Sequence, residues 1–413
     1  MATIQPFRAV RPVRDKVHLV ASRSYISYPK KALHAKLSEN PYTFIHIINP
    51  EFGTTEKTLP NSPERFKKVR ERYMDFVKDG VYQQDNQAGF YIYRQTQTQH
   101  TFTGIIACAH IDDYINGVIK KHEQTLTQRE NTFKEYLNIC EFHAEPVLLT
   151  YPDIPKVSEV VSQAVHQRPE YEFSTTDGIK HELWLMQAED DIKTIQHSFN
   201  ELDAIYIADG HHRSASSALL GQQRRNEQAN YTGVEAFNYY MALYIPESQL
   251  KIFAFNRLIK SLEISKTHFF EQLAQHFEVT EKPEAFSPSN IHEFSVYLEK
   301  KWYLLKAKPH TYIGDNPLKQ LDAEILSNYL LAPILGITDL KTDSRIDFMG
   351  DLYGVDAMMK QVDKGAFEMG IGLYPVSSSQ LKAIADHNET MPPKSTWIEP
   401  KIRSGLTIFN LSE

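Results

Sequence analysis

Cysteine is scarce. The 413 residues contain two, Cys108 and Cys140, too few for a disulfide framework or a cysteine-rich zinc site. A reducing, cytoplasmic compartment fits that usage. No run of about 18 apolar residues occurs, so no transmembrane helix is expected. The first residues, Met1 to Arg8, lack the apolar stretch of a secretion signal. Excess positive charge is also missing: 45 Lys and Arg stand against 52 Asp and Glu, a formal net charge of -7. That balance disfavours a non-specific nucleic-acid coat, which works by displacing counterions with basic surface.

Several signatures are absent as well. There is no Gly-x-x-x-x-Gly-Lys-Ser/Thr phosphate loop and no Gly-x-Gly-x-x-Gly dinucleotide turn. No Gly-x-Ser-x-Gly elbow supports a serine nucleophile. Cys140 near His143 is too little for a thiol enzyme.

What remains is an ordinary globular composition, 41% hydrophobic and 23% charged, with 22 Tyr and 22 Phe. Strand-like and helix-like segments alternate along the chain, giving an α/β (mixed α+β) fold. Strands are expected at 42–48, 90–93, 103–109, 147–151, 181–186, 204–208, 239–246, 250–257 and 370–374. The segments 294–298 and 302–306 read as a hairpin. Helices are expected near 29–37, 61–79, 127–140, 155–166, 189–200, 266–277, 322–334, 355–363 and 378–387. Asn61-Ser62-Pro63 supplies a cap and a first-turn proline for the second of these. Polar composition marks 224–232 as a surface loop. A boundary near residue 260 divides the chain into 1–260 and 261–413.

Chemistry concentrates in one place. Ala204 to Ala208 is an apolar strand, Asp209-Gly210-His211-His212-Arg213 reads as a turn, and Ser214 to Gly221 begins a helix of small residues. A helix start offers unpaired N–H groups and a positive dipole end. Gly210 allows close backbone approach. Arg213 can clamp oxyanions, and His211 and His212 add titratable donors. Asp209 can act as a base or hold a metal ion. The bland alternative is a capped surface helix with solvated histidines.

Three weaker clusters accompany it. Lys120-Lys121-His122-Glu123 offers ammonium groups for phosphate and a carboxylate for proton abstraction. Spacing alone favours a solvated charge run there. Thr342 to Gly350 places Arg345 between two acids, a candidate substrate site or an internal salt-bridge cluster. Met391-Pro392-Pro393-Lys394-Ser395-Thr396-Trp397-Ile398-Glu399-Pro400-Lys401 is a Pro-stiffened loop that can close over phosphate or a carboxylate, with Arg403 just beyond.

From about residue 4 to 411 the chain resembles domain-of-unknown-function family 1015. Ile4 to Ala9, Asn116 to Glu123, Tyr206 to Arg213, Thr342 to Phe348 and Met391 to Trp397 carry the resemblance. That family looks like a distant relative of the ParB/sulfiredoxin fold, whose members include CTP-binding partition proteins, sulfiredoxins and free-serine kinases. The kinases carry Asp-Gly-His-His-Arg, which Asp209–Arg213 reproduces, and use an upstream glutamate as base. The resemblance therefore implies a ParB/sulfiredoxin-like nucleotide-binding core within 1–260. It leaves room for the C-terminal α/β region to complete the site.

The implied activity is phosphoryl transfer between ATP or ADP and serine, phosphoserine or a similar small hydroxylated metabolite. Glu123, Asp209 and His211 are the implied catalytic residues. Gly210, His212, Arg213, Lys120, Lys121 and Thr125 would hold nucleotide phosphates, and Asp209 would hold Mg²⁺. Arg345, Lys394, Ser395 and Arg403 are candidates for the substrate. A homodimer is compatible with this reading, and neither a membrane nor a nucleic-acid partner is implied. The alternative is a non-catalytic, nucleotide-binding switch. His211 replaces the cysteine that sulfiredoxin chemistry requires, and no ParB-like helix-turn-helix is evident.

Overall fold

The computed structural model describes residues 1–228 and 230–412. The chain forms two compact units of mixed α/β structure. The first comprises residues 1–120, 125–250 and 400–413; the second comprises 121–124 and 251–399. Residues 121–124, 251–260 and 400–413 thus lie on the other side of the division expected near residue 260.

In the first unit, the alternation around Phe90 and Thr103 produces an antiparallel pair, Phe90–Thr96 with Thr101–His110. It sits inside a nine-stranded mixed sheet. The path runs Ile119–Lys120, Ile205–Asp209, Val147–Tyr151, Tyr239–Pro246, Thr101–His110, Phe90–Thr96, Lys180–Met186, Tyr171–Ser174, with Ile4–Gln5 added on Thr101–His110. Ile205–Asp209 is parallel to Ile119–Lys120 but antiparallel to Val147–Tyr151. Apolar side chains of these strands, among them Ile92, Ile105, Leu149, Ile207 and Tyr244, are buried together with Phe199. Burial on this scale, at roughly 25 cal/mol per Å² of apolar surface, is what holds the sheet and its helices together.

A satellite core lies around the helix Pro63–Lys78. Ser62 accepts the Arg65 N–H at 3.3 Å and Pro63 opens the first turn. Its apolar stripe, Phe66, Val69, Tyr73 and Phe76, packs with Phe44, Phe142 and Ile408. The strand expected at 42–48 is instead a short helix, Ile45–Ile48. Asn40 accepts from Tyr42 N at 3.0 Å and donates to Leu19 O at 2.7 Å, which turns the chain before it can extend. The helix Thr127–Cys140 and the helix His211–Glu227 lie against each other in the same unit.

The second unit is built on a sheet in the order Phe277–Lys282, Lys301–Ala307, Glu293–Leu298, Met369–Leu373, Lys251–Ile259, Ile346–Gly350, with Thr396–Glu399 paired to Lys251–Ala254. Helix Gly354–Asp363 contributes Val355 and Met358 to a core with Leu258, Tyr297 and Trp302. The helix expected over 322–334 divides into Asp322–Leu326 and a π-helical turn, Ser327–Leu331. Among the described residues, no helix is long and apolar enough to cross a membrane.

Candidate functional site

The strand Ile205–Asp209 loses its register just before the motif. Ile207 faces Leu149 while Asp209 faces Leu148, so Ala208 is bulged out. Bulges twist a strand locally and re-aim the residue that follows. Asp209 ends the strand, Gly210 is the single connecting residue, and the helix starts at His211 rather than Ser214. Gly210 stands at φ 105° and ψ 28°, in the left-handed region where a Cβ is penalised. One glycine therefore performs the whole reversal from strand to helix, and the first helical turn is built from His211, His212 and Arg213.

The small residues behind that turn explain how tightly it is set. Ser214, Ser216 and Ser217 are buried. Ser216 Oγ donates to His212 O at 2.7 Å, and Ser217 Oγ donates to Arg213 O at 2.7 Å. These back-bonds satisfy the hydroxyls inside the helix. Ser216 Oγ also lies 3.1 Å from the Glu130 carbonyl, and the Glu130 carboxylate accepts from Thr125. Thr125 is therefore tied to the same helix start. Lys120 is in register beside Tyr206, on the strand parallel to the one that delivers Asp209.

Arg213 is held on one side only. Its Nη1 pairs with Glu145 Oε1 at 2.7 Å and donates to Pro146 O at 2.8 Å. The Nε and Nη2 side lies over Gly210: a Cβ there would come within 3.0 Å of Nη2 and 3.1 Å of Nε. No acceptor among the described residues meets those two donors. Asp209 Oδ2 lies 3.4 Å from Lys401 Nζ. Its half-exposed carboxyl is pushed up by desolvation, yet Lys401, Arg213 and His211 outweigh that and hold it below the usual carboxylate range. Asp209 is thus an anion at neutral pH, with Lys401 and Arg213 nearby. Burial, reinforced by the Arg213 charge, drives the neighbouring His143 imidazole down to about 3, so it stays neutral.

This arrangement can receive an oxyanion through a helix start, the open side of a guanidinium and a lysine. As for a cation, no group of three His, Cys, Asp or Glu side chains among the described residues has metal-binding geometry. The motif offers Asp209 as a single carboxylate, already beside Lys401. That fits Mg²⁺ carried chiefly by nucleotide phosphates and water, not a resident ion caged by protein.

The remaining expected residues are distributed between the units. Lys121 and Glu123 belong to the short segment 121–124 of the second unit, and both are exposed. His122 O in that segment accepts from Met391 N at 2.9 Å. Arg345 is engaged internally: it pairs with Asp343 at 2.8 Å and donates to Leu335 O and Gly336 O, each at 3.0 Å. Lys394 is at φ 60°, its carbonyl accepting from Arg257 and its ammonium 5.3 Å from the centre of the Phe255 ring. Ser395 is buried and donates to Pro392 O at 2.7 Å. Arg403, in the first unit, is buried against Asp177 at 2.7 Å, Thr175 Oγ1 at 3.0 Å and His181 Nε2 at 3.3 Å.

Glu145 sits in no local pattern and reaches Arg213 only through the tertiary fold; Lys401 ends the Pro-stiffened run from Met391, and only the fold brings it to Asp209.

The candidate site is thus a strand-to-helix turn with a left-handed glycine, two histidines and a half-tethered arginine on a mixed α/β sheet, a geometry able to receive an oxyanion. The chain carrying it belongs to the family described as Protein of unknown function (DUF1015), whose profile matches residues 4–324. No curated protein matches the chain. Among solved structures it is similar to a free serine kinase in complex with AMP, at 14% identity and a TM-score of 0.38, covering 74% of this chain and 92% of that one. It is also similar to SbnI with a C-terminal truncation from Staphylococcus aureus, at 14% identity and a TM-score of 0.40, covering 74% and 88%. A conserved hypothetical protein from Pyrococcus furiosus is similar at 14% identity and a TM-score of 0.35, covering 74% and 96%.

Proposed function

We propose that the protein is a phosphotransferase that moves a phosphoryl group between ATP or ADP and serine, phosphoserine or a similar small hydroxylated metabolite. The observation that carries this reading is the open Nε and Nη2 side of Arg213 over a Cβ-less Gly210 at a helix start. The Asp-Gly-His-His-Arg motif, which resembles that of free-serine kinases, supports the nucleotide as the anion.

Phosphoryl transfer needs positioning and charge neutralisation more than covalent chemistry. The N–H groups of the first helical turn and the guanidinium of Arg213 hold phosphate oxygens. The Glu145 pair keeps Arg213 from swinging away. His211 and His212 donate to the same oxygens. Lys120, Lys121 and Lys401 add positive charge. The acceptor hydroxyl oxygen forms a bond to phosphorus as the bond to the nucleotide oxygen breaks, and Glu123, the implied base, takes the hydroxyl proton. Asp209, ionised at neutral pH, would hold Mg²⁺ directly or through water, and the ion would supply charge neutralisation to the nucleotide phosphates.

Phosphorus NMR with Mg²⁺ tests this. One set of samples holds serine with ATP or ADP, the other phosphoserine with ADP or AMP. New phosphoserine, or its loss with matching nucleotide gain, is the expected result. Glu123→Gln should abolish that turnover and leave nucleotide affinity unchanged; full-rate turnover in this variant removes Glu123 as the base. Nucleotide binding without turnover across an acceptor screen makes the protein a switch and overturns the enzyme reading.

A further inference from the structure

Arg257 occupies the middle of the strand Lys251–Ile259, in register with Phe348 on one side and Ile371 on the other. Its side chain is fully buried. Buried guanidinium groups normally face a carboxylate, because the uncompensated charge is costly to desolvate. Here no carboxylate among the described residues pairs with it. Nη1 donates to two backbone carbonyls, Phe255 O and, at 2.9 Å, Lys394 O. Nε and Nη2 have no hydrogen-bond partner. Burial alone drives the group down to about 9, with no acid nearby to oppose it.

The two unmet donors are not a random pair. Nε–H and Nη2–H lie on the same edge of a guanidinium and point in parallel. That edge is the fork that grips two oxygens of one carboxylate or phosphate. The other nitrogen is the one used to pin the backbone. One face of the guanidinium rests on the ring of Phe348, 5.1 Å from its centre. Phe348 is only partly buried, and its strand Ile346–Gly350 is the last in the sheet path. The Phe348 ring, near the edge of the sheet, is thus one of the groups that cover Arg257.

We propose that Arg257 is the anchor of a second oxyanion site, wholly within the second unit, that takes a two-oxygen anion side-on at Nε and Nη2. Its neighbours give it form. The Lys394 carbonyl fixes the guanidinium, and Ser395 Oγ on Pro392 O holds the tight turn that presents that carbonyl. Phe255 and Trp397 pack edge to face beside it, 5.4 Å apart between ring centres. Carboxylate and phosphate share the required geometry. The site stands independently of the phosphotransferase reading.

The test uses the full chain and measures thermal stabilisation by acetate, inorganic phosphate and chloride at matched ionic strength. Acetate or phosphate should stabilise saturably beyond chloride, and the separate titrations show which of the two anions the fork accepts. Arg257→Lys keeps charge but loses the fork, and apparent affinity should fall about tenfold or more. Arg257→Met, which removes the charge and most of the desolvation cost, should lose the effect altogether. Equal stabilisation by all three anions, or the same response in Arg257→Met, overturns the proposal. Should both variants fail to fold, crystals of the unsubstituted chain grown with acetate or phosphate decide it. Density for the anion at Nε and Nη2 supports the site, and ordered water or nothing there refutes it.

Discussion

Substituting Gly210 by alanine perturbs the strand-to-helix turn in two separable ways. The backbone is at φ 105°, and placing an L side chain in that region costs about 1–2 kcal/mol. The new Cβ also arrives 3.0 Å from Arg213 Nη2 and 3.1 Å from Nε, so the guanidinium must move. Moving it loosens the 2.7 Å pair with Glu145 and the 2.8 Å bond to Pro146 O. Both partners of that pair are partly exposed, 23% and 34%, so the loss is about 1 kcal/mol. The sum, about 2–3 kcal/mol, should lower the Tm of the first unit by roughly 5–10 °C in calorimetry.

Arg213→Ala removes the obstruction, so adding Gly210→Ala to it should cost only the backbone part. The double-mutant cycle then shows a coupling of about 1 kcal/mol. Strictly additive effects, or a Gly210→Ala protein that melts with the wild type, would refute the geometry of this turn. Nucleotide affinity should fall more than tenfold in Gly210→Ala if Arg213 meets phosphate on its open side. Unchanged affinity refutes that role.

Two more expectations follow from buried charge. Burial raises the Asp322 carboxyl to about 7, with the Glu293 charge adding to the rise and the bond from His292 N at 2.8 Å opposing it. The folded form therefore binds a proton that the unfolded form has already lost, and stability falls as pH rises from about 4 to 7. Asp322→Asn keeps an acceptor for His292 N. Its stability advantage over the wild type should grow across that window in urea unfolding, and a constant difference would refute the shift. Arg403→Met removes a buried cation from Asp177, which keeps Thr175 Oγ1 and Arg23 nearby, and should destabilise by about 1–2 kcal/mol. It should also let His181 titrate higher, since burial first and the Arg403 charge second hold it at about 3. A loss under about 1 kcal/mol argues against a net structural role.

The candidate motif was legible because its determinants are local. An apolar run ending in Asp-Gly, followed by small residues, reads directly as strand, reversal and helix, and Ile205–Asp209 and His211–Glu227 follow that reading. The helix begins three residues earlier than Ser214 because Gly210 alone makes the reversal. In the same way Ser62-Pro63 marked a helix start and the Phe90–His110 alternation marked a hairpin. The polar loop expected at 224–232 starts later, after Glu227, and Ala229 lies outside the described residues.

Other segments took their form from partners far away in sequence. The run 42–48 has the composition of a buried strand or of a buried helix, and short apolar runs do not distinguish the two. The turn fixed by Asn40 and the packing of Phe44 and Ile47 into the satellite core chose the helix. Phe277–Lys282 is mostly polar and solvent-facing, so it shows no apolar pattern; pairing with Lys301–Ala307 makes it a strand. Thr396–Glu399, expected as part of a loop, is a strand because Lys251–Ala254 lies beside it.

By itself, the sequence determined the mixed α/β class, the family and the position of the Asp209–Arg213 turn, because propensity, punctuation and motif are all short-range properties. Only the tertiary structure decided which charges meet. It brought Lys401 to Asp209 and Glu145 to Arg213, gave Arg403 to Asp177, and left Arg257 buried with Nε and Nη2 unmet. Pairing between residues far apart in sequence depends on sheet order and strand register, and neither is encoded in any local stretch of the chain.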